Sequence, residues 1–170
     1  MREKLANALM FNVSWLLIVL SQDAALAWGV AAVHCFAHLV LFGQRGELRA
    51  IAAISLLGLA LDQVLFASGV LQSADGGLPA PLWMSALWPV FASTALHAFA
   101  GFLRLRWIAV VVGALGGYAA YRAGASLSAV SFGWPLISDL VLLAVWAALF
   151  PALLLLARQI SQAGRGEGHV

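Results

Sequence analysis

Apolar residues run along this chain in long unbroken blocks, each interrupted by no more than a few polar positions. Six blocks come close to the ~20 residues that an α-helix needs to cross ~30 Å of hydrocarbon. They cover about Leu5–Leu20, Ala24–Phe42, Leu48–Leu71, Pro81–Leu103, Leu105–Tyr121 and Leu136–Ala157. None shows the in-out alternation of a barrel strand, and an open strand leaves backbone groups unpaired in lipid, so each is expected to be helical. The pattern predicts an all-α fold: one integral membrane bundle of six transmembrane helices over residues 1–170, with no appended soluble domain.

The connections are short. Residues 72–80 hold Asp75-Gly76-Gly77 and Pro79, a turn signature, and Gly133-Trp134-Pro135 closes a second loop on the same side. Trp83, Trp88 and Trp134 fall where an aromatic belt is expected at that interface. Composition agrees with the pattern. Hydrophobic residues make up 64% of the chain and charged residues 9%, against about 25% charged in soluble domains. So few charges cannot cover the surface of a soluble fold.

Charge placement adds orientation. Arg2, Lys4, Arg45, Arg49, Arg104, Arg106, Arg158 and Arg165 fall on one side of a six-span arrangement, and Arg122 alone on the other. The positive-inside rule then places both termini in the cytoplasm. Nine basic residues distributed in this way do not suggest nucleic acid. An alternative reads Met1–Lys4, the following apolar run and Ala25-Leu26-Ala27 as a cleaved signal peptide, leaving five helices in the same orientation. The length of the run and Asn12 at its centre favour a retained helix. Cys35 is the sole cysteine, so an internal disulfide and a paired-cysteine metal motif are excluded.

Small residues mark where helices would meet, because lipid gives them no hydrophobic reason to associate. Gly113, Gly117, Ala120 and Gly124 form one such stripe, and Ser55, Gly58, Asp62 and Gly69 another. Pro151 is expected to kink the last helix. Polar residues at membrane depth are costly unless they face the bundle interior. Asp62 is one, and its candidate partners are Tyr118, Tyr121 and Arg122; a buried pairing with Asp62 would explain the lone basic residue on its side.

Asn12, His34, His38 and His97 form a second band near the cytoplasmic side, with His34 and His38 one helical turn apart. Histidines on two helices could hold a metal or haem. A zinc-protease motif is absent, since Cys35 follows His34 where glutamate would be required. The expectation is hydrogen-bonded imidazoles with no metal and no cofactor, lining at most a pocket for a lipid head group.

From the third block onward the chain resembles a known family. The carrying segments are LDQVLFASGVL with Asp62, PLWMSALWPVFASTALHAF, GALGGYAAYRAGASLSAVSF and WAALFPALLLLAR, together with Asn12-Val13-Ser14-Trp15 near the start. They resemble an uncharacterised bacterial family of small multi-pass inner-membrane proteins, known as a domain of unknown function. In that family Gly-Pro usually precedes the tyrosine of the fifth helix, where this chain has Gly116-Gly117-Tyr118. Members are often encoded near cyclopropane-fatty-acid-synthase-like genes. The resemblance implies a bacterial inner-membrane protein with membrane lipids and lipid-modifying enzymes, or another membrane subunit, as partners. It implies no catalytic residue. Three functions stay open: an accessory component in lipid modification or envelope stress, a small transporter or substrate-capture subunit, and an intramembrane lipid-modifying enzyme.

Overall fold

The computed structural model describes residues 1–74 and 79–166, with the side chains of 165–166 outside the description. The Asp75-Gly76-Gly77 turn and the side chain of Arg165 therefore lie outside the described residues. Helices dominate: α1 Arg2–Ser21, α2 Ala24–Phe42, α3 Glu47–Ala67, the short α4 Leu82–Ser85 and α5 Leu87–Ala92, α6 Arg106–Leu127 and α7 Ile137–Gly166. Five of them, α1, α2, α3, α6 and α7, are long and apolar enough to cross a membrane. Their flanks carry many exposed large apolar side chains, among them Val33, Phe36, Val40, Leu56 and Leu115.

The sixth expected helix is not a continuous one. Residues 81–104 form α4, α5, a run of tight turns and a 3-10 turn at Ala100–Arg104. Three features of the sequence break it. Pro89 has no N–H to give to the preceding turn. Ser93 Oγ donates to the Val90 carbonyl at 2.8 Å, and Thr94 Oγ1 donates to the Phe91 carbonyl at 2.5 Å. Backbone donors then reach back three residues rather than four, from Thr94 to Phe91, Ala95 to Ala92 and His97 to Thr94. The segment from residue 81 to 104 therefore follows an irregular path. It begins where the Ala80 N–H donates to Gln63 near the end of α3 and finishes with Gly101 beside Lys4 of α1.

This irregular segment is the most enclosed part of the chain. Trp83, Met84, Ser85, Ala86, Trp88, Val90, Ala92, Ser93, Thr94 and Ala95 are all buried, and α1, α2 and α3 pack around it. Non-helical backbone is tolerated at membrane depth only when protein surrounds it. Asn7 of α1 supplies part of that cover. Its Oδ1 accepts from the Ala98 N–H at 3.3 Å and its Nδ2 donates to the Ser93 carbonyl at 3.4 Å.

Other boundaries differ from expectation for local reasons. Helix α3 stops at Ala67 rather than Leu71, because Gly69 turns the chain at φ 74°. The freed residues form β1, Leu71–Ser73, antiparallel to β2, Val130–Phe132, with Leu71 opposite Phe132 and Ser73 opposite Val130. No strand was expected, since each covers only three residues. Helix α6 continues past Tyr121 to Leu127, and α7 continues past Ala157 to Gly166, with Pro151 inside it where the sequence places it. Between α1 and α2, Asp23 accepts from the Leu26 N–H at 2.7 Å and caps α2.

Candidate functional site

Two polar constellations lie inside the bundle, one toward the β1–β2 end and one toward the chain termini. The first is built on Asp62, which is 1% exposed. Its position on α3 places it one turn beyond Gly58, and that glycine lets an aromatic ring lie flat on the helix. An added Cβ at Gly58 would fall 1.8 Å from Trp88 Cδ2. Resting there, Trp88 donates its indole N–H to Asp62 Oδ2 at 2.6 Å, while the Tyr121 hydroxyl donates to Oδ1 at 2.5 Å. Trp146 of α7 stacks on Trp88, with centroids 5.9 Å apart and planes within 4°. Gly117 of α6 closes the stack from the far side, where a Cβ would fall 2.1 Å from Trp146 Cδ2. Two indoles thus lie between two glycine faces.

A cavity of about 90 Å³ opens beside this stack. Phe11 and Trp15 of α1, Trp83, Trp88, Trp146 and Tyr121 form its aromatic walls, and Asp62 lies on its floor. Ala120, Gly124 and Ala125 of α6 form its rim. Gly124 has no atom within 4 Å of an added Cβ. The expected small-residue stripe therefore divides: Gly113 and Gly117 pack against α7, whereas Ala120 and Gly124 leave space. Above the cavity Gln22 ties α1 to the end of α6, accepting from Ala129 N–H at 2.8 Å. Trp146 is 5% exposed, yet its indole N–H has no partner among the described residues. A buried donor left unmade costs about 1–3 kcal/mol.

Of the three residues expected around Asp62, only Tyr121 bonds to it. Arg122 turns away from it, donating to Asp139 at 2.8 Å and to the Tyr118 hydroxyl at 3.1 Å, and it covers the Phe132 ring at 4.4 Å. The expected Asp62–Arg122 pair is not formed. Arg122 is explained by Asp139 on the next helix, and Tyr118 serves Arg122 rather than the buried acid. Both oxygens of Asp62 meet neutral donors instead.

The second constellation gathers the histidines. His38 Nε2 lies 2.7 Å and His97 Nε2 2.8 Å from the same oxygen, Glu47 Oε1. Glu47 Oε2 accepts the Gln44 N–H at 2.7 Å. All three side chains are buried, with His38 at 0% and Glu47 at 1% exposure. On its other side His38 Nδ1 meets Asn7 Nδ2 at 3.1 Å. The Ala98 N–H and the Ser93 carbonyl orient the Asn7 amide, so its NH2 faces His38. Nδ1 is then the acceptor, and the His38 proton sits on Nε2, toward Glu47.

His34 belongs to a separate chain of bonds. The Ser93 hydroxyl donates to the Val90 carbonyl, so it accepts from His34 Nε2 at 2.8 Å. His34 Nδ1 in turn accepts from Ser14 Oγ at 2.9 Å. Asn12 joins neither group. It is exposed, and its Nδ2 donates to the Ala8 carbonyl at 2.7 Å. Helical rotation explains the correction: Asn7, Ser14 and Ile18 share the inward face of α1, and Asn12 is turned away from it. His38 itself is fully enclosed.

Glu47, Asn7, Ser14 and the donor role of Trp88 were not among the sequence candidates. Asn7 and Ser14 carried a faint signal. Asn7 and Ser14 repeat at seven residues, the spacing of one helix face. Glu47 opens α3, and only the fold brings it to His38.

Comparison with curated proteins and with solved structures finds none similar to this chain. One family model matches residues 4–152, which takes in Asp62, Glu47 and every histidine of the bundle. The chain belongs to the family described as protein of unknown function (DUF2878).

Proposed function

We propose that this chain is a bacterial inner-membrane protein that takes the apolar part of a membrane lipid into the cavity over Asp62, and serves lipid modification as a binding component. The observation that carries this reading is an apolar cavity walled largely by aromatic rings and open at its small-residue rim. An acyl chain suits such walls, and Trp146, whose indole N–H has no partner among the described residues, is one of them. Entry from the side is supported by the open rim at Gly124 and the half-buried Trp15 and Ala125. In this reading the five long helices cross the membrane and the broken segment 81–104 makes a sixth crossing, with both termini in the cytoplasm. The distribution of basic residues supports that orientation.

The test is lipid retention. Protein purified in mild detergent is stripped of loose lipid, and bound lipid is quantified by mass spectrometry. Wild type is expected to hold a stoichiometric lipid, and Gly124→Leu, which fills the cavity from its open rim, to lose it without losing thermal stability. Equal lipid on both proteins would contradict the reading.

A second reading, an intramembrane enzyme acting on lipid, is favoured by one observation. Glu47, flanked by two imidazoles, has the groups for acid–base chemistry. A small transporter or capture subunit would use the first cavity instead.

A further inference from the structure

Glu47, His38 and His97 come from three separate segments, yet their ligand atoms all lie within 4.8 Å of one another. Both imidazole Nε2 atoms aim at one carboxylate oxygen, at 2.7 and 2.8 Å. That oxygen has lone pairs for both N–H donors, and a single cation at the point of convergence would meet the same three ligand atoms at once. We propose that His38 Nε2, His97 Nε2 and Glu47 form a binding site for one first-row divalent transition ion.

The donor set selects the ion class. Two imidazoles and one carboxylate suit zinc or ferrous iron, and they are too nitrogen-rich for magnesium or calcium. Three protein ligands leave at least one position for water or a substrate oxygen. Neighbouring groups hold the ligands in place. The Gln44 N–H fixes Glu47 Oε2, and Asn7 contacts Nδ1 of His38. Phe42 packs near both rings, with centroids 5.7 Å from His38 and 6.0 Å from His97.

Asn7 makes the site switchable between proton and metal. With a proton on His38 Nε2, the Asn7 NH2 donates to Nδ1. With a metal on Nε2, the proton moves to Nδ1, and the Asn7 amide must turn to accept it. The turn gives up only the long contacts to Ser93 at 3.4 Å and Ala98 at 3.3 Å. The sequence leads to a metal-free expectation for the band of Asn12, His34, His38 and His97, because hydrogen bonds suffice to explain its imidazoles; Glu47 is the ligand that changes the reading.

Elemental analysis of tag-free protein, purified without chelator, tests the proposal. Wild type is expected to carry one equivalent of zinc or iron per chain. Glu47→Gln and His97→Ala should each lose it, while Asp62→Asn keeps it. Cobalt(II) titration of chelator-stripped wild type gives a second readout that needs no variant. Visible d–d bands saturating at one equivalent, in the intensity range of four- or five-coordination, are expected. Wild type that neither carries nor takes up metal overturns the proposal, as does metal retained equally in Glu47→Gln and His97→Ala. Lipid retention on the cavity over Asp62 is a separate measurement, so either result can fail without the other.

Discussion

A methyl group added at Gly58 would fall 1.8 Å from Trp88, and one at Gly117 would fall 2.1 Å from Trp146, whereas Gly116 and Gly124 face open space. The same substitution should therefore have opposite effects along these helices. Gly58→Ala and Gly117→Ala should destabilise the protein by about 1–3 kcal/mol through overpacking. Gly116→Ala and Gly124→Ala should be neutral or stabilising by up to about 1 kcal/mol, the helix preference of alanine over glycine. Thermal unfolding in detergent distinguishes them. Trp88→Phe keeps the stack but removes one of the two donors to Asp62, leaving a buried carboxylate oxygen unpaired at about 1–3 kcal/mol. Restoration of stability in the double variant Trp88→Phe with Asp62→Leu would show that the loss lies in the carboxylate and not in the ring.

What could be read at this scale followed from depth and spacing. Asp62 and Tyr121 were legible because an acid in an apolar run must find a donor nearby. Trp88 read as an interfacial residue, since its place near the start of a block resembles an aromatic belt. Its partner became visible only when Gly58 brought the ring across α3. Glu47 sits in the Gly43–Arg49 stretch among charged loop residues, and nothing local separates it from them. The fold carries it beneath His38 and His97. Arg122 misled for a related reason: two acids were within reach, and the one on the next helix lay closer.

Among the elements, the segment from Pro81 to Arg104 departs most from its sequence pattern. Its hydropathy promises a regular span, but Pro89, Ser93 and Thr94 remove or compete for the backbone bonds of one. The α2 and α3 helices were legible because nothing in them opposes their periodicity. The irregular segment is stable in place because its neighbours enclose it and Asn7 fastens it from α1. Hydrogen exchange tests this arrangement. Peptides covering 82–99 should exchange as slowly as those of α3, despite their broken helix. Asn7→Ala should speed exchange in Ser93–Ala98 while leaving α6 and α7 unchanged. Uniform fast exchange of 82–99 in wild type would show that the segment is a surface loop.

At the scale of the molecule, five regular helices surround one irregular segment, and both polar constellations depend on it. Trp88 of that segment reaches Asp62, and Ser93 and His97 reach His34 and Glu47. A segment that ran the length of the bundle would carry chemistry at both ends; one that entered and returned to the same side could not. The decisive measurement is the sidedness of its two ends. In a Cys35→Ala background, single cysteines at Ala74 and at Arg106 are exposed to a membrane-impermeant maleimide in spheroplasts. The account predicts that Ala74→Cys is labelled in intact spheroplasts and Arg106→Cys only after permeabilisation. Labelling of both positions from the same side would contradict a sixth crossing and the architecture built around it.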